Sequence, residues 1–285
     1  MYFFRREKVQ CRYQFSLRDA VDLTLLQRAL TTALASAPYY TQRLVQEKRE
    51  MWLEPNTEPC LVYHGSTMRN IPEQTNGYLF CVSCEGDTVY FDWHHFLLDG
   101  HGVSPLFTSI LEQYCNLRYG TAFAVQQIVC DPPYDMEAML AEYPPVEGGS
   151  DAIQRDVVQT YEGALRRTRV CLSKQSLVEK ALANNAKPVS ALMGLLCMAM
   201  REYLGKEKIQ YSYSSDTRDV AGVPHALYNC VCSFEHTVQL QAQTRLADFI
   251  SDVDADIKRD LQPQSKRRRM TEQMGWVYKV NQQKA

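Results

Sequence analysis

No stretch of this sequence approaches the roughly 18 consecutive apolar residues that a membrane-crossing helix needs, so no helical span is expected. The chain opens Met1-Tyr2-Phe3-Phe4-Arg5-Arg6, with its charges after the apolar residues and no longer apolar region behind them. That is the wrong order for a secretory signal, and the expected location is the cytoplasm. An excess of one charge sign is missing too. Lysine and arginine number 31 against 33 acidic residues, a net charge of -2, which supports neither a nucleic-acid binder nor a polybasic membrane protein. The one local exception, Lys266-Arg267-Arg268-Arg269, reads as a solvated helix end or loop. No internal repeat of short period is present.

Cysteine is not scarce: there are ten. A metal centre nevertheless finds little support. Cys81 and Cys84 form a C-x-x-C pair inside GYLFCVSCEGDTVYFDW, which reads as two strands joined by a turn at Glu85-Gly86-Asp87. Strand side chains alternate faces, so positions 81 and 84 point oppositely, and no second C-x-x-C exists to complete a zinc knuckle. Cys230 and Cys232 share a strand face without obvious partners. Buried free thiols in a reducing compartment are the expectation.

Hydrophobic residues make up 45% of the 285 and charged residues 22%, enough for a sizeable core in one large domain or two of ordinary size. Residues 9–17 read as a strand. Asp22 then caps a helix carrying Leu23, Leu26, Leu30 and Leu34 at three- and four-residue spacing, ended by Pro38. Residues 77–84 and 88–95 form the hairpin. Ser104-Pro105 reads as a helix start, with Leu106, Ile110, Leu111, Tyr114 and Leu117 inward and Gly120 as the stop. The Pro-Pro and Gly-Gly pairs between 131 and 155 mark a linker. Beyond it come a strand at 164–172, helices at 174–184 and from Ser190 to Leu204, strands at KIQYSYSS and 229–240, and an amphipathic helix at 245–261. Strands and helices mix in both halves, so layered α/β or α+β architecture is expected.

The stretch FDWHHFLLDGHG, 91–102, places two adjacent histidines and a carboxylate where a strand turns toward a helix. Rigidly held loops of this kind often carry sites. A histidine there can exchange a proton near neutral pH, Asp99 can fold back to brace the backbone or meet an arginine, and Gly100 and Gly102 suit unusual dihedrals or close approach. Two plainer readings compete: ordinary half-buried strand histidines, or half of a metal site. Adjacent strand residues face opposite sides, which opposes a shared metal. One histidine is expected to point into a site and the other into packing.

HHFLLDG, 94–100, matches the H-H-x-x-x-D-G motif of the chloramphenicol acetyltransferase-like superfamily, and the chain resembles that group. It includes condensation domains of nonribosomal peptide synthetases and alcohol O-acetyltransferases. The preceding YQFSLRDAVDLTLLQRALTTALASAPYYTQRL resembles the N-terminal strand and helix of condensation-type members. In the second half, IQYSYSSDTRDVAGVPHALYNCVCSFEHTVQL resembles their segment with D-x-R followed by a strand. The resemblance covers about residues 9 to 261, strongly at 90–120. It implies a two-layer α/β sandwich of two lobes, an N-terminal lobe at 1–150 carrying the motif and a C-terminal, incomplete lobe at 151–285. It implies that His95 faces the tunnel between the lobes as the general base, acting on an alcohol or amine that attacks an acyl thioester. By the same resemblance His94 packs, Asp99 is structural and pairs with Arg218 of Asp216-Thr217-Arg218, and Gly100 opens space for the donor's pantetheine arm. The donor is an acyl-CoA or a phosphopantetheine thioester on an acyl or peptidyl carrier protein, and the acceptor is a small molecule. No permanently bound cofactor, metal, nucleic acid or membrane is implied.

One departure bears on this reading. Condensation-type members carry a late D-F-G-W-G segment, and Met274-Gly275-Trp276 does not match it. The intact motif favours an acyltransferase, and a free-standing one. The missing segment favours a relative that binds or scaffolds without catalysing.

Overall fold

The computed structural model describes residues 10–47, 50–95, 97–142 and 170–282. The chain forms two units, one of residues 1–134 with 222–230, the other of 135–221 with 231–285. The division therefore falls at 134/135 rather than at residue 150, and the nine residues 222–230 return to the first unit.

The first unit contains β1 (Gln10–Ser16), α1 (Leu23–Ala35), β2 (Gln42–Glu47), β3 (Glu50–Pro55), β4 (Val62–His64), β5 (Phe80–Glu85), β6 (Thr88–His94) and α2 (Gly100–Tyr119). A short 3-10 turn at Pro38–Tyr40 follows α1. Four strands form one sheet in the order β1-β6-β5-β4. The β1/β6 and β5/β6 pairs are antiparallel and β4/β5 is parallel. Gly86, at φ 59°, supplies the left-handed position that the tight β5–β6 turn requires. One face of the sheet presents Phe80, Val82, Val89, Phe91 and Trp93 to Leu26, Leu30 and Leu34 of α1 and to Val103, Leu106 and Ile110 of α2. Phe80 and Phe91 stack at 5.4 Å, and Phe107 of α2 tilts onto Phe91 at 5.3 Å. Leu23 does not join this core and is exposed, since it stands at the first helical position, ahead of the buried stripe.

The other face of the sheet is also buried, but polar. Asp92, 1% exposed, takes both Nε and Nη2 of Arg12 at 2.6 and 2.7 Å, and Arg12 Nη1 reaches the carbonyl of Ser66. Cys81 pairs in register with Asp92, whereas Cys84 faces the apolar core. The alternation expected for this C-x-x-C is thus the one observed. All ten cysteines are free. Cys171 is exposed and four others are half-buried, so burial does not extend to every thiol.

The second unit contains α3 (Met136–Glu142), α4 (Lys174–Ala183), α5 (Pro188–Leu204), β7 (Lys208–Asp216), α6 (Arg218–Ala221), β8 (Val231–Gln239), α7 (Leu246–Asp260) and α8 (Pro263–Gln282). β7 and β8 pair antiparallel as a two-stranded sheet. Ile209 and Tyr211 of β7 pack with Cys197 of α5 and with Phe249, Val253 and Ile257 of α7. The stretch read as a linker includes α3. Of the strand expected at 164–172, residues 164–169 lie outside the described residues, and 170–172 carry no regular structure.

Two expected helix starts are corrected. α5 begins at Pro188 with Lys187 as its cap residue; Ser190 lies inside, donating its hydroxyl to Asp254 at 2.7 Å. α2 begins at Gly100 and runs through Pro105. The basic run 266–269 is likewise not simply solvated. Lys266, 6% exposed, pairs with Asp219, and Arg269 donates to the carbonyl of Ser233, so these cations tie α8 to α6 and β8.

Candidate active site at the end of strand β6

The site is built on the turn between β6 and α2. His94 is the last strand residue, and its side chain is buried on the polar face that also holds Asp92. His95 follows in the turn and is half-buried. The turn is braced by aromatic side chains from elements already fixed in the core. Trp93 Nε1 donates to the carbonyl of Leu98 at 3.1 Å, Tyr39 Oη to that of Leu97 at 3.2 Å, and Tyr40 Oη to that of Gly102 at 2.6 Å. Burial pushes the Tyr39 phenol up, which keeps it a donor at any ordinary pH.

Asp99 is 2% exposed. It is the cap residue of α2, with Oδ1 accepting from Gly102 N at 2.8 Å. Its Oδ2 accepts from Cys230 N at 2.8 Å. The carboxylate therefore joins the start of α2 to the segment 222–230 of the same unit.

That segment touches both the turn and residues 130–132. A Cβ on Gly102 would collide with the carbonyl oxygen of Leu227, so only glycine permits this approach. Leu227 N donates to Cys130 Sγ at 3.4 Å, His225 N to Asp131 Oδ2 at 2.7 Å, and Tyr228 Oη to the carbonyl of Pro132 at 3.1 Å. Asn229 Nδ2 stands 3.2 Å from His95 Nδ1 and 3.2 Å from the carbonyl of His95.

Of the residues singled out in the sequence, His94, His95, Asp99 and Gly100 come together in the first unit, joined by Gly102. Gly100 stands against Tyr13, whose hydroxyl would lie 3.1 Å from an added Cβ. Arg218 belongs to the second unit. It is 3% exposed, and its backbone N and Nη1 donate to Asp216 at 2.9 and 3.1 Å. Sequence reasoning missed Asn229, the Cys230 N–H and the three aromatic braces. Residue 229 sits at the start of what read as a strand, and nothing local marks its approach to His95.

Among the described residues no group of three or more His, Cys, Asp or Glu could hold a metal ion. Burial pushes the thiols of Cys81 and Cys197 up to about 12 and about 11, and neither is a ready nucleophile near neutral pH. A cavity of about 420 Å³ opens in the first unit between Pro38, Tyr39, Gln42 and residues 127–130. Tyr39 and Cys130 connect its wall to the turn and to segment 222–230.

No family model and no curated protein matches the sequence. Solved structures do match. Polyketide synthase associated protein 5 from Mycobacterium tuberculosis superposes with a TM-score of 0.67 at 19% identity, over 91% of this chain and 71% of that one. The epimerization domain from the third module of tyrocidine synthetase B gives 0.62 at 15%, over 95% and 72%. The first condensation domain of the CDA synthetase gives 0.60 at 14%, over 90% and 70%. The chain has the condensation-domain fold, a chloramphenicol acetyltransferase-like fold. At these identities the likeness extends to the fold, and one fold can host different chemistries.

Proposed function

We propose that this chain is an acyltransferase that moves an acyl group from a thioester to an alcohol or amine at His95. The observation that carries the proposal is the setting of His95. It is a partly exposed imidazole in a turn that leads into a helix capped by the buried Asp99 carboxylate. On this reading the acceptor's oxygen or nitrogen bonds to the acyl carbon and His95 takes its proton as general base. The C–S bond breaks and the leaving thiolate takes the proton back. The donor is an acyl-CoA or a carrier-protein phosphopantetheine thioester, the acceptor is a small molecule, and the work is done in the cytoplasm. Among the described residues, no helix is long and apolar enough to cross a membrane.

The test measures thioester cleavage and transfer with acyl-CoA and acyl-pantetheine donors and small amine and alcohol acceptors. His95→Ala is expected to lower transfer by about 10²–10⁴ with the fold intact, whereas His94→Ala is expected to act mainly on stability. Equal rates in wild type and His95→Ala would remove the catalytic reading and leave a binding or scaffold protein.

A further inference from the structure

We propose that the open edge of β7 pairs with the β7 of a second copy of this chain, about a twofold axis at Ser212. β7 is nine residues long, Lys208–Asp216, and its sheet holds only β8 beside it. An unpaired strand edge is a template for another strand, and proteins ordinarily blunt it with proline, a bulge or inward-pointing charges. β7 has none of these. It contains no proline, its inward residues Ile209, Tyr211, Tyr213 and Ser215 are uncharged, and its register with β8 runs unbroken from Lys208↔Gln239 to Asp216↔Val231. Among the described residues, no backbone group outside β8 bonds to the backbone of 208–215. The outer edge of β8, by contrast, is occupied. Arg269 of α8 donates to the Ser233 carbonyl, and Gln273 Oε1 accepts from Ser233 N at 3.3 Å.

Those bonds fix which groups the open edge presents. Ser233 sends both its N–H and its C=O away from β7, so Ser214, opposite it in register, sends its own away from β8. Before the strand begins, Glu207 O accepts from Leu240 N at 2.8 Å, which puts residue 207 in a pair bonded across the ladder. Both observations give the same phase. Even-numbered residues from Lys208 to Asp216 point N–H and C=O outward, and odd-numbered ones bond to β8.

In that phase the sequence of β7 is complementary to itself. Antiparallel pairing centred on Ser212 sets Gln210 opposite Ser214 and, at both ends, Lys208 opposite Asp216. The even residues then exchange hydrogen bonds pair by pair. Lys208 is exposed and has no acidic partner of its own among the described residues, and the Asp216 side chain is 43% exposed. On the inward face Tyr211 stands opposite Tyr213, an aromatic pair of the kind that steadies strand pairing. No like charges meet. A shift of two residues in either direction keeps the bonding phase but parts the lysine from the aspartate, so the charges select this register. The twofold uses up the edge in both copies, which closes the assembly at two chains. The inference goes beyond the acyl-transfer reading and does not depend on it.

The experiment is sedimentation equilibrium of the full chain over a dilution series, with backbone amide exchange followed residue by residue at both ends of the series. Wild type is expected to pass from monomer to dimer as concentration rises. The amides of Gln210, Ser212 and Ser214 should slow by about tenfold or more in the concentrated sample, while those of Tyr211 and Tyr213, bonded to β8, should be slow at either end. Ser212→Pro removes only an outward N–H, so its monomer should fold and no dimer should form. Lys208→Glu, an exposed change that sets acid against acid at both ends, should weaken the dimer by roughly tenfold. A wild type that stays monomeric with its edge amides fast overturns the proposal, as does a dimer that Ser212→Pro leaves at full strength. A monomer whose amides at 210, 212 and 214 are slow at every concentration would show the edge covered by the chain itself, which overturns it too. Should Ser212→Pro fail to fold, Lys208→Glu and the concentration dependence of the wild-type amides decide.

Discussion

The Asp99 carboxylate accepts the backbone N–H of Cys230 at 2.8 Å, although the two residues stand 131 apart in the chain. Its second oxygen closes the first turn of α2 on Gly102. One buried carboxylate thus serves as a helix cap and as the anchor of a distant segment. Replacing it with alanine removes the cap and leaves a buried N–H without its acceptor. The expected loss is roughly 2–4 kcal/mol, read by urea denaturation. Asn keeps only one good acceptor oxygen, so Asp99→Asn should lie between. If Asp99→Asn instead keeps wild-type stability and loses only turnover, Asp99 acts on substrate rather than on the fold.

The two motif glycines should respond unequally to alanine. At Gly102 the added methyl meets the carbonyl of Leu227, a backbone group that cannot step aside. At Gly100 it meets the hydroxyl of Tyr13 at 3.1 Å, a half-buried side chain that can give. Gly102→Ala is expected to cost about 3 kcal/mol or more, at or beyond the upper end for overpacking, and Gly100→Ala clearly less. Thermal melts of the two variants decide this, and equal melting temperatures would count against a tight seat for Leu227.

Arg12 and Asp92 should show strong coupling. Asp92 sits on a buried face and both its oxygens are taken by one guanidinium. Arg12→Leu leaves that carboxylate buried without its partner, at an expected cost of about 3–5 kcal/mol. The double variant Arg12→Leu/Asp92→Leu should recover part of the loss. A double-mutant cycle with no coupling energy would show that solvent already screens the pair.

How far the fold could be read from sequence depended on whether its determinants were local. Asp22, the leucines of α1 and Glu85-Gly86-Asp87 act within a few residues of themselves, and the elements they specify stand where expected. β2 and β3, QRLVQE and EMWLEP, carry no clean alternation and went unread. At α2 a local signal misled. Ser104-Pro105 has the form of a start, but the cap is the carboxylate of the motif itself, and the Ser104 hydroxyl turns back to the carbonyl of Gly100. The histidines and Asp99 were legible because they are contiguous. Asn229, 134 residues from His95, was not, because only the folded chain brings them together.

Asp254 should make the second unit sensitive to acid. Its side chain is almost fully buried at the junction of α7 and α5, and burial by itself would raise its carboxyl. Bonds from Lys258, the Lys187 N–H and Ser190 overcome this and hold it below the usual carboxylate range. A carboxyl held lower in the folded than in the unfolded chain contributes stability above the unfolded value. That contribution is lost as pH falls through the folded value. The loss is therefore expected below about pH 4, as the carboxyl protonates and its bond to Lys258 weakens. Asp254→Asn has no such proton to gain. At pH 7 it should melt lower than wild type, because its amide sets an NH₂ against a donor. Between pH 6 and pH 3 the gap between the two melting curves should close, since the wild type alone loses this contribution. A gap that stays constant across that range would show that the Asp254 bonds do not depend on its charge.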